Sequence, residues 1–143
     1  MFWSAASAWF IAQLLKNLID LLKGGYSLDR IGGGGGMPSA HSATVTGLTA
    51  AAGMTYGGGS GTFAVSLFLA IIVIYDAMGV RYVTGRQSRI LNRMMEEEKA
   101  AGKDPGQAKP LPEKMGHTIP EIIAGMAIGV LCACVVCLVI FPQ

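Results

Sequence analysis

The chain has 143 residues, 52% of them hydrophobic and only 14% charged, with a net charge of +2. With a mean hydropathy of +0.49, this is one domain of a kind unlike ordinary soluble proteins. So small a net charge decides nothing by itself, and no nucleic-acid partner is expected.

A hydrocarbon core about 30 Å thick takes roughly 20 mostly apolar helical residues to cross. Residues 2–22, 61–80 and 119–141 approach that requirement. Residues 39–56 are long enough but consist largely of Ala, Thr, Ser and Gly, a composition that favours close helix packing over lipid contact. The expected fold is all-α, a polytopic integral membrane bundle of about four transmembrane helices. Residues 1–143 are read as a single membrane-embedded domain with a polar loop at 86–114.

The first stretch lacks a basic n-region and carries Gln13, Lys16, Asn17 and Asp20. It reads as a permanent helix rather than a cleaved signal, its polar residues spaced to point into the bundle. Residues 32–36 are five consecutive glycines. They suit a flexible linker, and equally a loop whose backbone approaches a phosphate before a helix start.

Pro38-Ser39 marks that start, with Pro38 suited to the first turn, Ser39 to the cap, and His41 inside the first turn. Farther along, 86–101 reads as an amphipathic helix with Ile90, Leu91, Met94 and Met95 on one side, ended by a Pro- and Gly-containing stretch. Part of its charge suits anionic lipid headgroups. Thr118 and Glu121 have capping-box spacing. If the helix includes residue 117, Glu121 instead lies one turn beyond His117 and orients its imidazole. Cys132, Cys134 and Cys137 lie in the last apolar stretch without a histidine or further cysteine to complete a metal site. They read as small hydrophobes, so neither a metal nor a cofactor is expected.

Four spans place connections 23–38 and 84–118 on one membrane face, and 57–60 with both termini on the other. Ten of the eleven Lys and Arg residues, all but Lys16, fall on the first face. By the positive-inside rule that face is cytoplasmic. His41 and His117, the only histidines, belong to it, and a neutral-range pKa suits them to proton transfer and nucleophilic attack.

These residues carry a resemblance. Pro38-Ser39-Ala40-His41 resembles the P-S-G-H motif of the type 2 phosphatidic acid phosphatases and vanadium haloperoxidases, and His117-x-x-x-Glu121 is similar to their H-x-x-x-D motif. The likeness is closer to a compact divergent branch, through Ala12-Gln13-Leu14-Leu15-Lys16, Gly35-Gly36-Met37-Pro38, Tyr75-Asp76-Ala77-Met78-Gly79-Val80-Arg81 and Gly116-His117-Thr118-Ile119-Pro120-Glu121.

The resemblance implies a metal-independent membrane phosphatase for a lipid phosphate or diphosphate. His117 would be the nucleophile, Glu121 its aligning carboxylate and His41 the acid. The implied phosphate-binding set is Lys16, Lys23, Arg30, Ser39 and Arg81, with Asp76 near Arg81. Two departures stand out: Ile31 follows Arg30 where proline is expected, and Leu111 occupies the place of an arginine six residues before His117. Arg81 is the candidate replacement. The alternatives are a catalytically inert protein that binds anionic lipid, or a phosphotransferase with an acceptor other than water. The expected partners are a lipid phosphate substrate and membrane lipids. Four helices are few to enclose a site, which leaves room for a homodimer.

Overall fold

The computed structural model describes residues 1–22, 36–102, 109–113 and 115–140. Lys23, Arg30 and glycines 32–35 therefore lie outside the described residues. Among those described, the secondary structure is entirely helical: α1 (Phe2–Leu22), α2 (Ala40–Tyr56), α3 (Gly61–Met78), α4 (Val80–Ala100) and α5 (Ile119–Cys134). A π-helical stretch, Val135–Ile140, prolongs α5.

Three helical stretches are long and apolar enough to cross a membrane, those containing α1, α3 and α5 with its extension. The 17-residue α2 is shorter and forms the hub, packing on α5 most extensively and then on α1 and α3. Its many small side chains permit this. At Gly47, a Cβ would stand 3.2 Å from both the Ala8 Cβ and the Ser4 carbonyl of α1, and 3.3 Å from the Gly129 carbonyl of α5. At Gly129, a Cβ would meet the Ala43 carbonyl at 2.5 Å and the Gly47 nitrogen at 2.8 Å. Gly125, one turn earlier, is closed in the same way by the Ser39 carbonyl. Gly125 and Gly129 thus form a small-xxx-small face, through which backbones associate by direct van der Waals contact.

The interior follows from that closeness. Its core holds Ala8, Ala12, Ala43 and Cys132, and the largest fully buried side chains are Ser4, Ser39 and Ser42. Large apolar side chains such as Phe68, Ile72, Ile123 and Leu138 point outward, the arrangement a lipid surround favours. Thr49 adds a hydrogen bond from α2 to the Ser66 carbonyl of α3 at 3.0 Å, an interaction worth roughly 0.6 kcal/mol inside a membrane.

Two expectations change. The buried face of α1 is Ser4, Ala8, Ala12 and Lys16; Gln13, Asn17 and Asp20 are only partly covered. Small residues fit the close approach to α2, so they, rather than the polar cluster, set the rotation of α1. The amphipathic helix also begins earlier than expected, at Val80, because only Gly79 separates it from α3.

Replacing Gly129 by Leu is expected to cost roughly 1–3 kcal/mol or more through overpacking. Ala at Gly58, where an added Cβ meets nothing, should leave stability within about 0.5 kcal/mol. Thermal unfolding of both variants in detergent measures the difference.

Candidate active site

Two helix N-termini meet at one end of the bundle. Ser39 caps α2, its Oγ accepting the Ser42 amide at 3.3 Å and the Ser42 hydroxyl at 3.0 Å. The Ser39 N–H donates to the Glu121 carbonyl in the first turn of α5 at 3.0 Å. Pro38 lies ahead of this cap, outside the helix, rather than in the first turn; the Ser39 side chain has taken the capping position. His41 falls in the first turn, as its spacing indicates.

At the start of α5, the His117 N–H donates to the Ala77 carbonyl near the end of α3, at 3.0 Å. Gly116 makes this approach with φ +84°, and a Cβ there would stand 2.6 Å from the Tyr82 nitrogen. Only glycine meets both demands without strain. His117 is buried, and its Nδ1 lies 3.1 Å from Glu121 Oε2. The same oxygen accepts the Thr118 N–H at 3.1 Å. Glu121 therefore caps the helix and orients the histidine together. A carboxylate oxygen that accepts here would place the His117 proton on Nδ1 and leave the Nε2 lone pair for chemistry.

His41 is exposed, its ring centroid 6.2 Å from that of His117 and the planes tilted by 58°. Its electrostatic neighbours are Arg81, His117, Lys16 and Asp76. Arg81 donates from Nε to Asp76 Oδ2 at 2.8 Å, an ion pair reaching across the α3–α4 junction. Lys16 is buried, lies in the field of Asp20 and Glu121, and its stem passes Gly36, where a Cβ would sit 3.1 Å from Lys16 Cε. The fold thus gathers Lys16, Ser39, His41, Asp76, Arg81, His117 and Glu121 at one end. Lys23 and Arg30 lie outside the described residues.

Asn92 is a residue that no motif or spacing marks. It is buried on α4, its amide donates to the Leu111 carbonyl and to Glu113 Oε1, both at 2.9 Å, and its carbonyl accepts the Leu111 N–H at 2.8 Å. Gly85, two turns earlier on the same buried face, lets the backbone come close enough that a Cβ would be 2.6 Å from the Glu113 carbonyl. Together they hold the segment leading to His117 against α4. No spacing rule joins positions 92 and 111.

Hydrogen bonds from Asn92, and then from Arg89, hold the Glu113 carboxyl below its ordinary range. A depressed carboxylate favours the folded contact above its unfolded pKa and loses that contribution as pH falls through the folded one. Asn92→Ala should move the Glu113 titration upward, toward an ordinary glutamate, and NMR titration of labelled glutamate side chains reads this directly.

A family model described as the divergent PAP2 family matches residues 1–132. The chain is also 34% identical over 142 residues to the uncharacterized membrane protein YuiD of Bacillus subtilis (strain 168), covering 90% of this chain and 87% of that protein. No solved structure matches. An apolar bundle bringing the Pro38–His41 and His117–Glu121 motifs to one end agrees with those matches, and the chain belongs to the divergent PAP2 family.

Proposed function

We propose that the protein is a membrane phosphatase that hydrolyses a lipid phosphate or diphosphate through a phosphohistidine. The observation that carries this reading is His117, held through Nδ1 by Glu121 at 3.1 Å with the His41 ring 6.2 Å away. In the proposed reaction the His117 Nε2 lone pair attacks the terminal phosphorus and the P–O bond to the leaving group breaks, the lipid alcohol from a monophosphate or the lipid monophosphate from a diphosphate. His41, in its protonated form, gives the departing oxygen its proton. Water then attacks the phosphohistidine, His41 takes up a proton, the P–N bond breaks, and phosphate leaves.

The surroundings suit a doubly charged anion. Helices α2 and α5 present their N-terminal dipole ends to the space between the histidines, and Lys16 and Arg81 add positive charge. Asp76 engages only Arg81 Nε among the bonds described, a geometry that suits presentation of the remaining guanidinium N–H groups to phosphate oxygens. In phosphoryl transfer, positioning and charge stabilisation supply most of the rate. Arg81 is proposed to take the part of the arginine that Leu111 replaces. Lys23 and Arg30 remain candidates for the same set. Among the described residues, no group of three or more His, Cys, Asp or Glu is placed to hold a metal.

Purified protein is expected to release phosphate from at least one member of a lipid phosphate panel, without sensitivity to chelators. His117→Gln should lower turnover by at least about a thousandfold while the protein still folds. Arg81→Ala should cost roughly a hundredfold or more. Activity of His117→Gln within a few-fold of the parent would reject His117 as nucleophile. Lipid phosphate binding without release across the panel would favour the inert anionic-lipid-binding reading.

We also propose that this end faces the cytoplasm. The connection at 57–60 and the residues after Glu121 contain no Lys or Arg, whereas Arg81, Arg86, Arg89, Arg93, Lys99 and Lys109 follow α3. A cysteine at Lys103, with Cys132, Cys134 and Cys137 replaced, should react with an impermeant maleimide only after cells are lysed. Labelling of intact cells would reverse the orientation.

A further inference from the structure

We infer that α4 is a lipid-surface docking helix, its Val80–Met95 part seated on anionic headgroups. The inference stands apart from catalysis and rests on how the faces of α4 are occupied. One face, Gly85, Ser88 and Asn92, is buried, and the segment ending at Met115 covers it through Asn92 and the close approach at Gly85. A second face carries Val83, Ile90, Leu91 and Met94, all about half exposed or more. At 100° per residue these four form one stripe, interrupted between Val83 and Ile90 by the exposed Gln87. Arg86, Arg89 and Arg93 form a row along its flank.

The placement of α4 selects a membrane surface as the occupant. The 18 residues of α3 span about 27 Å at 1.5 Å per residue, close to a hydrocarbon thickness of about 30 Å. Gly79 ends α3 and starts α4, so α4 emerges at the boundary of the bilayer. With five basic and three acidic residues among its 21, it is unsuited to crossing. An amphipathic helix tethered there can bury its apolar stripe at the headgroup boundary while the arginines reach outward to lipid phosphates.

Charge also sets the extent of the seat. Continued one more turn beyond Leu91 and Met94–Met95, the stripe meets Glu98, within the acidic run Glu96–Glu98. Docking therefore ends near Met95. The arginine pairings leave the row open to lipid: Arg89 with Glu113 at 3.4 Å and Arg93 with Glu97 at 2.9 Å, their side chains 69% and 80% exposed. Such pairs hold their partners weakly. A second copy fits less well, because an isologous antiparallel pairing about Ile90 and Leu91 brings Arg86 and Arg93 of the two copies together.

The test uses the full chain, with its three cysteines replaced by Ala and a spin label at Leu91→Cys or, as polar control, at Glu97→Cys. It is reconstituted in phosphatidylcholine bilayers with and without phosphatidylglycerol. At position 91, collisions with oxygen should exceed those with an aqueous nickel chelate once phosphatidylglycerol is present; position 97 should stay aqueous. Changing Arg86, Arg89 and Arg93 to Gln should remove the dependence on phosphatidylglycerol, lowering surface occupancy about fivefold per arginine. High salt on the unaltered row should weaken docking in the same direction, independently of how the variant folds. Equal water access at 91 and 97 in both bilayers would overturn the inference. So would burial of position 91 without phosphatidylglycerol accompanied by spin–spin broadening that rises with protein density, which would identify a second copy.

Discussion

The approach of α5 to α2 at Gly125 and Gly129 is the constraint on which the rest depends. Carbonyl groups of Ser39 and Ala43 occupy the space that side chains would need. That proximity lets the Ser39 N–H reach the Glu121 carbonyl, fixing the start of one helix against the start of the other. His41 and His117 then share a space although 75 residues separate them in the chain. A bulkier interface would press on the Ser39 and Ala43 carbonyls and move both helix starts apart.

Glu121 concentrates local and tertiary requirements on one carboxylate oxygen. It accepts the Thr118 amide and lies beside His117 Nδ1, so the helix cap and the histidine orientation cannot be adjusted separately. The arrangement avoids the cost of a buried imidazole without a partner. It also brings two helix N-termini, Lys16 and Arg81 to the same end, a concentration of positive potential that an anion can relieve. Asp76 offsets part of that potential through Arg81.

The connection through α4 joins this end to the polar part of the chain. Gly79 carries the chain from α3 into α4, Asn92 and Gly85 lay the returning segment against it, and Gly116 turns that segment beneath Tyr82. His117, just ahead of α5, is thus held from the α3 side by Ala77 and from the first turn of α5 by Glu121. The contacts that secure it are mostly backbone approaches, which explains why glycines rather than large side chains mark the path.

Composition and hydropathy determined the helical class, the membrane setting and the approximate positions of the long apolar helices, because lipid demands length and apolarity from each segment individually. Local chemistry likewise determined the caps at Ser39 and Thr118 and the one-turn spacing of His117 and Glu121. Only the tertiary structure decided that Lys16 is the buried member of the α1 polar set, that Asp76 pairs with Arg81 across Gly79, and that Asn92 holds Leu111. Those outcomes depend on helix rotation, a break one residue wide and a contact between positions 19 residues apart, none of which has a period in the sequence. The α2–α5 interface shows the division most clearly: the small residues are legible along the chain, but which backbone fills the space they leave is a property of two helices together.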